Sequence, residues 1–372
     1  MNAKPRLLMV GRTRYRLPLE ESLRPKFDAL ERLFEVCVLG SGVAGSPRRN
    51  GVFRLSGPYR PRRLDGVLYY LGLPLRTARE LRQFRPDAVL VQGAHEAWLA
   101  LAARRLARVR APIILDVHGD WRTVTRLYGS PARRLLNPLG DRLATASLRH
   151  ADAVRTISGY TTDLVRSYGV EPAAVFPAYM DLQTFLGPVQ PLPERPRALF
   201  IGVLEHYKGI DELAAAWRLA APQLPGATLH VVGRGTRRSV VEELVRDLPA
   251  QTEWTEWLPS TGVSAALDAA TILVLPSRSE GMGRVLVEAF CRGRPAVASS
   301  VGGIVDLVRD DENGLLVPPR GAQALAEALV RVLSDRQLAE RLAAGAHASV
   351  EPWLATPDEY AARLEALVSG LR

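Results

Sequence analysis

The chain of 372 residues is 47% hydrophobic and 24% charged, a balance that buries a real core and excludes a disordered, collagen-like or coiled-coil protein. Cys37 and Cys291 are its only cysteines, which excludes a disulfide scaffold, and at roughly 100–200 residues per domain the length predicts two domains. The net charge of +10 is lopsided: residues 1–190 hold 30 basic and 16 acidic side chains, a net +14, whereas residues 191–372 hold 19 and 23, a net −4.

Taken in chain order, residues 1–11 have too short an apolar core for a signal peptide. The apolar stretch 67–75 is broken by Gly72 and Pro74 and falls short of the ~20 residues a spanning helix needs. A cytoplasmic protein is expected, peripheral on the inner face of the cell membrane if its basic half meets anionic lipid. Short β-branched runs predict strands at 6–11, 34–40, 87–92, 113–117, 153–157 and 175–178, and then at 198–203, 228–232, 253–258, 271–275, 296–299 and 314–317. Helical patterns lie between them, so the fold class is α/β, with βαβ units and mainly parallel sheets. Four prolines within residues 188–196 read as a stiff linker. The expected domains are therefore 1–188 and 195–354, both Rossmann-like, with a C-terminal helix near 355–372 packing back on the first. In such sheets ligands bind beyond the carboxyl ends of the strands.

Two strand ends in the second half carry candidate chemistry. After the strand at 271–275 comes Pro276-Ser277-Arg278-Ser279-Glu280-Gly281-Met282-Gly283-Arg284, a small-residue loop that opens a helix. Glycines let a ligand approach the backbone, and free amides at a helix start favour an anion such as phosphate. Glu288 lies about five residues into that helix, or ~7–8 Å along its axis, about the reach from a pyrophosphate to its ribose. An ion pair with Arg284 one turn away explains Glu288 equally well. After the strand at 198–203 comes Lys208, one of three lysines among 49 basic residues and a compact charge suited to phosphate.

These segments resemble the retaining nucleotide-sugar glycosyltransferases of family 4, which have the GT-B fold: two facing Rossmann-like domains with a cleft between them. The resemblance spans about residues 150–345 and rests on Lys208-Gly209, on Glu280 and Glu288 with seven residues between them, on Val301-Gly302-Gly303-Ile304, and on the Gly-Leu-Leu-Val-Pro-Pro run at 314–319. It implies that Lys208 neutralises the donor diphosphate and that Glu280 binds donor-sugar hydroxyls beside the amides of Gly281, Met282 and Gly283. Glu288 would hold the ribose, Gly202, Gly233 and Arg284 would complete the donor site, and Gly233-Arg234-Gly235 with the 254–258 strand would flank the base. His118 resembles a histidine that contacts the donor sugar at the reaction centre. His118, Lys208 and Glu280 are thus the catalytic candidates. His95, Asp120 and Arg14 are candidates for the acceptor side.

Two departures stand out. Val203 occupies a position where the family usually has arginine, so Arg284, Arg278, Arg12 or Arg14 would have to supply the charge. The usual Gly-Gly pair after the first strand is replaced by Gly11-Arg12-Thr13-Arg14, with Gly11 and Arg12 expected near the phosphates. The sequence contains no Asp-x-Asp and no metal-spaced cluster, so neither a metal nor a cofactor beyond the donor co-substrate is expected. The reading is metal-independent, retaining transfer from a nucleoside-diphosphate sugar to a hydroxyl of a glycan, a lipid-linked acceptor or a small-molecule glycoside. The alternatives are a nucleotide-sugar epimerase of the same fold and a non-catalytic basic protein that binds membrane or polyanion. No base-stacking aromatics are interleaved with the arginines, which favours an anionic membrane surface over nucleic acid as the partner of the basic half.

Overall fold

The computed structural model describes residues 3–61, 64–122 and 131–371. The chain divides into two compact units, Met1–Tyr179 with Ala355–Arg372, and Met180–Leu354.

The first unit is built on eight strands in the order β3-β4-β2-β1-β5-β6-β7-β8. They are β1 (Arg6–Tyr15), β2 (Glu35–Gly42), β3 (Arg49–Asn50), β4 (Phe53–Ser56), β5 (Ala88–Gln92), β6 (Ile113–Val117), β7 (Ala153–Thr156) and β8 (Ala174–Val175). All neighbours pair in parallel except β3 and β4. Alternation along the strands explains the layers, because successive side chains point to opposite faces. Leu8 and Val10 face the helices Asp65–Gln83 and Ala94–Ala107 through Tyr69, Leu73, Ala97 and Leu101. Leu7 and Met9 face the helices Arg24–Leu33 and Pro357–Ser369 through Phe27, Leu30, Tyr360 and Leu364. With both faces covered, the strands read as continuous apolar runs. The last helix starts at a capping box, in which Thr356 accepts from Glu359 N–H and Glu359 accepts from Thr356 N–H.

The second unit carries six strands in the order β11-β10-β9-β12-β13-β14, every pair parallel. They are β9 (Arg197–Ile201), β10 (Thr228–Val232), β11 (Thr252–Thr255), β12 (Ile272–Leu275), β13 (Ala296–Ser299) and β14 (Gly314–Val317). Phe200 and Val231 pack against Leu213 and Trp217 of the Ile210–Ala220 helix and Leu325 and Leu329 of the Ala322–Ser334 helix.

Three details depart from the sequence expectation. The edge hairpin β3–β4 is not evident in the sequence, because Pro47, Gly51 and Gly57 hide a four-residue alternation. Residues 12–15 do not form a loop but continue β1 past an irregularity between Val10 and Arg14. Burial of Tyr15 against Phe27 and Phe53, with ring centroids 6.1 and 5.0 Å away, draws the chain on as strand. The proline-rich segment 188–196 belongs to the second unit, and the division falls at Tyr179/Met180 instead of 188. Leu192 is buried in that unit's core, Arg294 donates to the carbonyl of Pro191, and Arg336 donates to those of Leu192 and Pro193.

Candidate active site

In the second unit, the strand order runs outward in one direction from β9 and in the other from β12. These two neighbours therefore mark the topological switch point, where a doubly wound sheet opens a ligand crevice. Lys208 follows β9, Glu280 follows β12, and they meet there: Lys208 Nζ lies 2.5 Å from Glu280 Oε2, each side chain about 15% exposed. Ser277, wholly buried, donates to the same oxygen at 3.5 Å. The contact depends on two close backbone approaches. Gly209 has φ +71° and abuts the Pro276 carbonyl, where a Cβ would come within 1.9 Å of the oxygen. Gly302 has φ +53° and abuts the Glu280 carbonyl at the same 1.9 Å, and Gly303 N–H donates to that carbonyl at 3.2 Å. Only glycine fits either position, and together they seat both loops over the ends of three adjacent strands, β9, β12 and β13.

The helix Arg284–Cys291 begins after Gly283, which caps it in the left-handed conformation. Met282 is buried in the loop just before it. Glu288 sits buried on this helix and accepts from Arg284 Nε at 2.7 Å. Burial pushes its carboxyl above the ordinary range, and Arg284 pulls in the opposite direction. The ion pair anticipated as the rival account of Glu288 is therefore present. Arg278 is turned to Glu212, with Nε 2.8 Å from Oε1, and to His206. The segment expected to flank a base is compact: Trp254 Nε1 donates to the Gly233 carbonyl at 2.9 Å, with Arg238 4.9 Å above its ring.

The first unit switches between β1 and β5, which places Gly11 against Gln92 and lets Thr13 donate to Gln92 Oε1 at 2.9 Å. Arg12 and Arg14, expected on a phosphate, lie 3.5 and 3.2 Å from Asp65. The Tyr59 amide and these arginines hold the Asp65 carboxyl below the usual range. Tyr70 donates to buried Glu96 at 2.8 Å, and burial pushes the Glu96 carboxyl up. His95 Nε2 is 3.9 Å from Asp141, beyond hydrogen-bond reach. Asp120 takes a two-pronged bond from Arg122, each contact 3.0 Å.

His118 follows β6, and its Nε2 lies 2.8 Å from Asp116 Oδ2. The other Asp116 oxygen accepts from Arg155 Nη1 at 2.6 Å, and both partners are wholly buried. No local sequence motif marks Asp116, Arg155 or Ser277 as site residues. A charge in the middle of the apolar strand at 153–157 was the available signal, since a buried arginine requires a partner.

Residues 27–183 match the family model described as Glycosyltransferase Family 4, and residues 187–348 the model described as Glycosyl transferases group 1. The chain is 30% identical over 330 residues to 2-deoxystreptamine glucosyltransferase of Streptomyces kanamyceticus, covering 80% of this chain and 84% of that protein. Among solved structures, sucrose-phosphate synthase from Thermosynechococcus elongatus superposes with a TM-score of 0.74 at 21% identity, covering 98% of this chain and 97% of that one. HepE of Anabaena in complex with UDP gives 0.69 at 16% identity, covering 97% and 99%.

Proposed function

This chain belongs to the family 4 glycosyltransferases, with a group 1 second half and the GT-B fold, and transfers a sugar to an acceptor; within that activity we propose metal-independent transfer from a nucleoside-diphosphate sugar to an acceptor hydroxyl with retention of anomeric configuration. The observation that carries the proposal is the Lys208–Glu280 pair at the switch point. Lys208 is the positive charge for the diphosphate leaving group, and Glu280 is the acceptor for donor-sugar hydroxyls. Stabilising charge as it develops is often the largest catalytic contribution. With its carboxylate tied to Lys208 and Ser277, Glu280 is an orienting group and not a nucleophile beneath the sugar. The acceptor then attacks from the face the phosphate leaves, through an oxocarbenium-like transition state, and the departing phosphate takes the acceptor proton. The sequence offers no Asp-x-Asp, and among the described residues no three His, Cys, Asp or Glu side chains gather as metal ligands.

The donor belongs to the 180–354 unit, and the glycan, lipid-linked or small-molecule acceptor to the unit holding His118. The relative from Streptomyces kanamyceticus is named as a 2-deoxystreptamine glucosyltransferase. A half with net +14 repels a polycation, so an anionic or neutral acceptor fits this chain better. The same charge suits an anionic membrane surface, with the enzyme working from the cytoplasmic side. The test of the central claim is the anomeric configuration of the product, read by NMR in chelator-treated buffer. Retention with undiminished rate is expected, and an inverted product, or activity restored only by added divalent metal, overturns the proposal.

A further inference from the structure

His118 is the exposed end of a chain of three side chains, the other two wholly buried. Asp116 in β6 and Arg155 in β7 are direct partners in the strand register. A buried ion pair costs much desolvation and adds little stability over a well-packed apolar pair, so its presence in the middle of a sheet calls for another reason. Every contact of Arg155 holds it still. Its Nη2 donates to the carbonyls of Phe176 and Pro177 at 2.8 and 2.9 Å, and its guanidinium lies 3.9 Å from the Phe176 ring centroid and 5.6 Å from that of Tyr360 on the last helix. Its Nη1 occupies Asp116 Oδ1, which leaves Oδ2 for the histidine.

Burial alone would raise the Asp116 carboxyl, but the charge of Arg155 above all, with His118 beside it, more than reverses this, so the group stays ionised far below the ordinary carboxylate range. An ionised carboxylate only accepts. The nitrogen that faces it must therefore carry the hydrogen.

We propose that Asp116 and Arg155 are positioning residues that hold His118 as the Nε2–H tautomer, so that Nδ1 is the lone-pair nitrogen offered to a substrate hydroxyl. The inference rests on the reading of His118 as a reaction-centre residue and adds to it the atom that acts and the two groups that select it. In Asp116→Asn, the single amide oxygen remains claimed by Arg155, and the amide NH2 turns to the ring. Nε2 must then accept, and the proton moves to Nδ1.

The test is a long-range nitrogen–proton correlation spectrum of 15N-histidine-labelled protein, with the His118 signals assigned through His118→Gln. In the wild-type protein His118 is expected to show a pyrrole-type Nε2 and a pyridine-type Nδ1. In Asp116→Asn the pattern is expected to invert, with kcat falling about 10–100-fold or more, by analogy with loss of the outer-shell partner of a metal-bound histidine, and donor KM changing far less. A wild-type spectrum with Nδ1 protonated, or with both tautomers averaged as in a free histidine, overturns the proposal without reference to any variant, so an Asp116→Asn protein that fails to fold does not shield it. An inverted tautomer with unchanged kcat overturns the functional half. Wild-type kcat in His118→Gln overturns the reading beneath it, a result the spectrum keeps separate from the tautomer assignment.

Discussion

At the scale of single residues, the site is a set of ion pairs whose members differ in burial, and burial decides what each is worth. Lys208 and Glu280 are shielded but reachable, so truncating either leaves its partner uncompensated and, on the proposed roles, removes a contact to the donor. Lys208→Ala and Glu280→Ala are each expected to lower kcat/KM by about 2–4 kcal/mol. Because the two side chains touch, the double variant is expected to lose clearly less than the sum. A steady-state double-mutant cycle checks this, and strict additivity would mean the pair does not act as a unit. Lys208 was legible in the sequence because it is a lone lysine among arginines. Its partner was legible only as a motif position, since no local pattern states that residues 72 apart in sequence share a hydrogen bond. No substitute for the usual family arginine at Val203 was legible. Arg278, Arg284, Arg12 and Arg14 all have carboxylate partners here.

At the scale of elements, strand positions were legible because parallel strands buried on both faces are unbroken apolar runs, and the short edge hairpin β3–β4 was not. The Asp65–Gln83 helix presents another feature that no motif search finds. Leu64 at its start and Val67, Leu71 and Leu75 along it are 45–70% exposed, and their spacing of three and four residues puts them on one face. The same face continues through exposed Arg79 and Arg82. An outward apolar stripe running into basic residues suits insertion at the surface of an anionic bilayer, although no described helix is long and apolar enough to cross one. Flotation with phosphatidylglycerol vesicles is expected to recover the protein, phosphatidylcholine alone to recover little, and Leu71→Ser with Leu75→Ser to weaken binding by about tenfold or more. Recovery that ignores lipid charge and salt would sink this placement.

At the scale of the whole molecule, the proposed division of labour follows the charge, with the motifs assigned to the donor in the unit of residues 180–354 and the excess of arginine outside it. UDP at 100 times its dissociation constant is expected to stabilise the protein by about 2.7 kcal/mol. A thermal-shift series over UDP, GDP, ADP and dTDP checks this, and a melting temperature unmoved by all four would remove the donor assignment. The amino-acid sequence by itself determined the α/β class, the two-unit plan, nearly every strand and the donor-side motifs, because periodicity, glycine placement and spacing act over a few residues and are written locally. Only the tertiary structure decided that segment 188–196 is bound to the second unit's core, that residues 12–15 are strand, that Glu288 is paired with Arg284, and that His118 leans on Asp116 and Arg155. Most of these depend on which groups, near or far along the chain, burial brings together, and desolvation leaves a buried charge no option but to find a partner.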